Sequence, residues 1–253
     1  MYNYSEVFTK MENSLMSALK LSKKDFDERY ESTKTLKFEA KSDDWYFEEL
    51  TFIAFYSGFK ADTVNKKVGL IKEYFPDYKT VSKFDQNDIN KMMADSKMIK
   101  HPGKIEGIIK NAKLFPSIIS EFGSIHNYLV SLLPDDTDET LKKFYKTVRS
   151  KFAYLGDITT YHFMTEIGLN VVKPDRVLIR IFERLGLITH DKQYWELIVH
   201  AREFAKATKQ KIRYIDMIFV EYGQVKEYGI CLEVKPKCDK CELSKTDYCN
   251  YKN

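Results

Sequence analysis

Residues 1–230 of this 253-residue chain contain no cysteine. A disulfide framework spreads its cysteines to staple distant segments, so that kind of scaffold is excluded. Glycine and proline are scarce, at ten and six residues. Evenly spaced short strands bounded by turn residues are missing with them, which argues against an all-β architecture. No apolar run approaches the roughly 18 residues a membrane span needs. The opening MYNYSEVFTKMENSL has no basic segment leading into an apolar one. No signal peptide is read there, and a cytoplasmic protein without a membrane partner is the expectation. Excess charge is slight as well: a net +4 does not by itself establish a nucleic-acid partner. There is no internal repeat and no low-complexity linker.

Helix formers dominate what is present. The length suits one large domain or two interlocked ones. Residues 1–44 are charged and helical in pattern, with two short helices around FTKMENSLMSAL and KKDFDERYEST. From Trp45, WYFEELTFIAFYSGF reads as an apolar helix ending near Gly58. Asp62 or Thr63 is placed to cap the next one, TVNKKVGLIKEYF, which stops before Pro76. Another short helix covers 86–98. His101-Pro102-Gly103 reads as a turn, followed by KIEGIIKNAKLF, SIISEF and SIHNYLVSLL as separate helices. DETLKKFYKTVRSKF (138–152) is amphipathic. After it, YLGDITTYHFMTEIGL is a short loop leading into a helix. Pro174 stands at the first turn of PDRVLIRIFERLG, with Gly186 as its stop. Two last helices occupy 191–208 and 209–222. Lys104, Lys110 and Lys113 form a loose stripe on one helix, read as solvated, some of it available to a DNA backbone. Aromatics are 14% of the chain, with 17 Tyr and 17 Phe; a Tyr/Phe-rich core is the plain reading of most of them.

All four cysteines lie between 231 and 249, in the pattern Cys231-x6-Cys238-x2-Cys241-x7-Cys249. Clustering of this kind reads as metal ligation. Four thiolates close together repel unless a metal neutralises them. The x2 loop places two sulfurs on one metal centre, either tetrahedral zinc or one corner of an iron–sulfur cluster. The x6-x2 combination at the end of an all-helical chain favours a [4Fe–4S] cluster, with zinc as the alternative. Lys235 and Lys237 make the first loop basic, which suits either phosphate contact or plain solvation.

CLEVKPKCDKC resembles the cluster loop of the endonuclease III and adenine glycosylase family, within the helix-hairpin-helix DNA glycosylases. That family uses x6, x2 and usually x5, where this chain has x7. GDITTYHFMTEIGL (156–169) is similar to a segment of the 3-methyladenine DNA glycosylase I family, G-T-T-x-x-Y-S-F-M-Q-x-x-G-L. MADSKMIKHPGKIEGIIKNAK (93–113) and WYFEELTFIAFYSGF (45–59) look like that family too, collinear over most of 45–170.

The resemblance implies an all-α, two-lobed helix-hairpin-helix glycosylase fold with a C-terminal [4Fe–4S] loop. Residues 45–170 would be the helical barrel with the hairpin, and 1–44 plus 171–253 the cluster-bearing domain. It implies a DNA-binding hairpin loop at Leu155, Gly156, Ile158 and Thr159, with Asp157 close to the phosphate unless it turns away. The loop's second glycine is replaced by Ile158. Asp175 and Arg180 keep a D-x4-R interval, which makes Asp175 the implied catalytic acid; its plain alternative is a helix-stabilising first-turn acid. Thr160 falls where bifunctional relatives carry a lysine, so base removal without strand nicking is expected. Phe59, with Lys60 beside it, matches the residue that fills the gap left by a flipped base. Tyr30 matches a pocket tyrosine, and Tyr56, Tyr161 and His162 are further pocket candidates, each with burial in the core as its plain alternative. The family's base-recognising glutamate falls at Ile53 and its pocket tryptophan near Ala61, so base recognition must differ in detail. An apolar and aromatic pocket suits a cationic alkylated base.

The expected protein is thus a monomeric, monofunctional glycosylase for an alkylated, 3-methyladenine-like base in double-stranded DNA, nucleoid-associated in a bacterium or archaeon. Three other readings stay open: an endonuclease III-like glycosylase for another base, a non-catalytic damage-binding module, and a zinc-stabilised interaction protein.

Overall fold

A computed structural model describes residues 2–251. Among them every regular element is helical, fifteen α-helices and one short 3-10 turn at Cys238–Lys240. The chain divides into two compact units, one of Met1–Phe38 with Gly168–Asn253 and one of Glu39–Ile167. None of the helices is long and apolar enough to cross a membrane.

The discontinuous unit opens with α1 (Tyr4–Leu19), α2 (Lys23–Arg29) and α3 (Glu31–Thr35). Asn3 and Ser22 cap the first two with side-chain oxygens on free amides.

The continuous unit carries α4 (Asp43–Tyr56), α5 (Ala61–Asn65), α6 (Val68–Tyr74), α7 (Tyr78–Val81), α8 (Gln86–Ala94), α9 (Pro102–Phe122), α10 (Ile125–Ser131), α11 (Asp138–Lys151) and α12 (Asp157–Glu166). Here α9 is the spine, and Phe115 at its centre packs with Phe47 of α4, Tyr78 of α7 and Phe152. Three expectations are corrected in this unit. His101-Pro102-Gly103 is a cap rather than a turn: the His101 ring accepts from the Lys104 amide at 3.2 Å, and Pro102 takes the first helical position, where its missing N–H costs nothing. KIEGIIKNAKLF and SIISEF are one helix running through Pro116. An interior proline costs about 3 kcal/mol, but Phe115 and Ile118 beside it are fully buried at about 1.5–3 kcal/mol each, which offsets the loss. Finally, neither Asp62 nor Thr63 caps a long helix; Lys60 is the N-cap, and the ladder breaks across the polar run Asn65–Lys67 between buried Val64 and Ile71.

The first unit then resumes with α13 (Arg176–Arg184), α14 (Tyr194–Thr208) and α15 (Ile212–Gly223). Its core is aromatic: Phe219 lies 4.8 Å from Phe182 and 5.1 Å from Phe204, ring centre to ring centre, with Phe8 of α1 against the same group. Pro174 is not in the first turn of α13 as expected. Asp175 is the N-cap, because its carboxylate satisfies the leading amides. Gly186 does end the helix, at φ +67°, with the Leu187 amide returning to the Phe182 carbonyl at 2.9 Å. Gly223 lets α15 approach α13: a Cβ there would stand 2.6 Å from Val177 Cγ1.

Candidate active site

The N-terminus of α13 holds Asp175. One carboxylate oxygen, Oδ1, accepts from the Val177 amide at 2.9 Å and the Leu178 amide at 3.2 Å. Oδ2 has no hydrogen-bond partner among the described residues. The structural alternative for Asp175 is therefore realised, yet half of the carboxylate stays available. Arg180 does not hydrogen-bond to Asp175. Its guanidinium donates to the Gly223 carbonyl at 2.5 Å and the Cys231 carbonyl at 3.2 Å. Burial lowers its pKa, opposed by the charge of Cys231.

The C-terminus of α13 holds the cysteine loop. The Tyr222 carbonyl accepts from the amides of Ile230 and Cys231, at 2.8 and 2.9 Å, which starts the loop at the end of α15. The Arg184 guanidinium donates to Cys231 Sγ at 3.1 Å and to the Leu232 carbonyl at 2.8 Å. The Tyr222 hydroxyl lies 2.8 Å from Cys241 Sγ. Asn250 returns to α13, its amide donating to the Arg184 carbonyl at 2.7 Å. Cys241 interacts electrostatically with Cys231 and Cys249, and Cys249 with Cys238. Burial pushes the Cys231 and Cys249 thiols up, against the pull of Arg184. All four are free thiols, each partly exposed. Among the described residues no three His, Cys, Asp or Glu are gathered tightly enough for a single metal ion. Sequence reasoning missed Arg184 and Tyr222; the one signal for Arg184 was its place four residues after Arg180, on the same helix face. Of the two loop lysines, Lys235 is exposed at φ +51°, whereas the Lys237 ammonium is held by the Glu227 carbonyl. Only Lys235 is thus an open basic group.

In the continuous unit the hairpin loop reaches α12 through Tyr154, at φ +64°. Leu155 is buried. Gly156 is the N-cap of α12, and its own amide donates to Thr159 Oγ1 at 2.6 Å, while that hydroxyl donates to the Tyr154 carbonyl at 2.9 Å. No side chain caps the helix. The amides of Asp157, Ile158 and Thr159 at its tip are therefore open to an anion. Asp157 does turn away: Arg149 Nη1 pairs with its carboxylate at 2.6 Å and the Tyr145 hydroxyl donates to it at 3.2 Å. Thr160 is fully buried, its hydroxyl donating to the Gly156 carbonyl at 2.7 Å.

The aromatic candidates separate. Tyr56 and His162 share a cavity of about 370 Å³ with Phe52, Ile53, Lys72 and Glu166. His162 Nε2 is 3.4 Å from Glu166, and Lys72 is paired with Glu48 at 2.8 Å. Tyr161 is buried against Tyr145, rings 4.5 Å apart, and supports the hairpin instead of lining that cavity. Tyr30 is in the core of the other unit, 2% exposed, its hydroxyl bonded to Glu221. Burial raises its pKa and the Glu221 carboxylate raises it further. Phe59 is half-exposed after Gly58, and Lys60 is exposed. The expected solvated stripe holds for Lys110 and Lys113, but Lys104 is buried, 3% exposed.

The family model of the methyladenine glycosylases matches residues 30–175, more than half of the chain. The chain belongs to the methyladenine glycosylase family. Membership makes it a DNA glycosylase, an enzyme hydrolysing N-glycosyl bonds. The DNA-3-methyladenine glycosylase of Haemophilus influenzae is 30% identical over 141 residues, 49% of this chain and 76% of that protein. The 8-oxoguanine DNA glycosylase of Thermotoga maritima superposes with a TM-score of 0.54 at 18% identity, over 86% of this chain and 98% of that one. That is a likeness of fold, and it reaches well beyond the family match. A mutant of the Staphylococcus aureus 3-methyladenine DNA glycosylase I gives 0.47 at 20% identity, over 60% and 90% of the two chains. The family match ends on Asp175, so the methyladenine glycosylase signature leaves the four cysteines outside it.

Proposed function

We propose that this methyladenine glycosylase homologue is a monofunctional enzyme that removes a 3-methyladenine-like base from double-stranded DNA, with Asp175 as its catalytic carboxylate. The observation that carries this reading is the division of labour within that carboxylate. Oδ1 is fixed by two amides, and Oδ2 has no partner among the described residues. Breaking an N-glycosidic bond develops positive charge on the sugar. An oriented, ionised oxygen stabilises that charge and can direct the attacking water. An alkylated base is a good leaving group, so a site with one carboxylate suffices for it.

Strand nicking needs an amine to attack the sugar. The position that carries it in bifunctional relatives is Thr160, a buried hydroxyl bonded to a carbonyl, and α12 contains no lysine. The open amides of α12 suit a DNA phosphate, and Phe59 suits the gap left by the extruded base. The cavity that Tyr56, Phe52 and Glu166 line brings aromatic rings and a carboxylate together, a combination that suits a cationic base.

For the cysteines, the x6-x2 spacing favours a [4Fe–4S] cluster, with zinc as the alternative. A cluster spreads its four thiolates over separate irons, whereas zinc needs all four sulfurs about 2.3 Å from one point. Cys231, Cys238, Cys241 and Cys249 would hold the cluster. It would supply a rigid, charged anchor for the Lys235 loop and takes no part in bond cleavage. Pure protein is expected to be brown with broad visible absorption; colourless protein with stoichiometric zinc overturns the cluster.

The test of function is incubation of alkylated duplex DNA with the enzyme, released bases being identified by mass spectrometry. Release of 3-methyladenine by wild type, with unbroken strands until alkali is added, is expected. Tight binding without any base release would leave only a damage-binding module.

A further inference from the structure

Lys104 is an ammonium placed where solvent barely reaches, at the third position of α9. It donates to the Ala54 carbonyl and, at 2.6 Å, to the Ser57 carbonyl. These are orphan acceptors at the end of α4, where a cation also meets the negative end of the helix dipole. Nζ lies 5.5 Å from the centre of the Phe59 ring and 5.0 Å from that of Tyr154. No carboxylate partners it among the described residues. Burial holds its pKa below the usual lysine value.

The same cluster is closed from α9. A Cβ at Gly103 would stand 2.7 Å from the Tyr154 hydroxyl, and one at Gly107 2.4 Å from the Tyr154 ring. His101 lies edge-on to both Phe59 and Tyr154, at 6.3 and 6.2 Å. A methionine or leucine would fill this space without the cost of desolvating an ammonium. The cation adds what they lack: directional bonds to the turn after α4, and attraction to one ring on each loop.

We propose that Lys104 is a positioning residue that ties the Gly58–Phe59 turn to the hairpin loop, so that the gap-filling ring and the phosphate-binding amides keep one fixed spacing. This rests on the reading above, in which those two loops contact DNA.

The test is a double-mutant cycle on binding to a duplex with a stable abasic-site analogue, read by fluorescence anisotropy. Phe59→Ala perturbs one loop and Gly156→Asp the other. In wild type their combined loss departs from the product of the single losses by about fivefold or more. In a Lys104→Met background the losses multiply to within about twofold, while a thermal melt shows the protein folded. Simple multiplication in wild type overturns the proposal even where the Met variant does not fold. Undiminished coupling in the folded Met variant overturns it too. Wild type that releases methylated bases but shows no coupling sinks this inference alone. Wild type that neither binds nor cleaves sinks the glycosylase reading with it.

Discussion

Helices α12 and α13 begin with the same physical problem and solve it in opposite ways. Each starts with amides that lack carbonyl partners and with a positive dipole end. In α13 the chain supplies its own anion, Asp175, on the Val177 and Leu178 amides. In α12 the N-cap is Gly156, no side chain covers the tip, and the nearest acid, Asp157, is drawn aside by Arg149 and Tyr145. One helix start orients a carboxylate; the other is left open for an anion from outside. The comparison teaches that the residue at the N-cap decides whether a helix start is closed by its own chain or left open.

The largest effect should come from removing the charge at α13 while keeping the cap. Asp175→Asn still offers an oxygen to both amides, so folding is expected to survive. Excision should fall by about a hundredfold or more, as expected for loss of a group aimed at developing charge. Single-turnover release from methylated duplex measures it, and retained activity would remove Asp175 from the chemistry. Next comes making α12 resemble α13. A Cβ at Gly156 has no neighbour closer than Thr159 Oγ1 at 3.7 Å, and the backbone there is extended, so Gly156→Asp fits. Its carboxylate would fill the open amides. Duplex affinity should drop about tenfold in anisotropy titrations, the scale of one lost charge-assisted contact, while the melting temperature holds or rises. Unchanged affinity would mean that the α12 amides do not meet phosphate.

Asp175→Ala removes both capping bonds and should cost about 1 kcal/mol in urea unfolding beyond what Asp175→Asn costs. Equal stability of the two variants would deny the cap its role. The smallest effect belongs to Asp157→Asn. The pair with Arg149 is exposed and should contribute nothing measurable to stability, but a negative charge is removed beside the open amides. Binding should tighten by about twofold at low salt and not at high salt. Weakened binding would mean that Asp157 organises the loop.

Much of this was legible in the sequence because it depends on neighbours along the chain. Capping residues, 3.6-residue periodicity and the Gly186 stop are local, and so is the collinear likeness through 45–170. The D-x4-R interval drew attention to Asp175, and the structure shows it as the cap of α13, with Arg180 gripping backbone carbonyls of Gly223 and Cys231 instead of the acid. What the sequence hid depends on partners far along the chain. Lys104 looked like part of a solvated stripe because nothing local reveals that the end of α4 offers it two carbonyls. Pro116 looked like a break because nothing local reveals that the adjacent Phe115 is held by Phe47, Tyr78 and Phe152. Gly223 gave no signal, since its need for a bare Cα comes from Val177 and Ile181 of another helix.

The nine residues of α13 span about 13 Å at 1.5 Å per residue, a rod too short to bend. Asp175 caps one end, and Arg184 grips the cysteine loop at the other. Each end is thus tied by its own hydrogen bonds, and the short helix keeps the capping carboxylate and the cysteine loop at one separation.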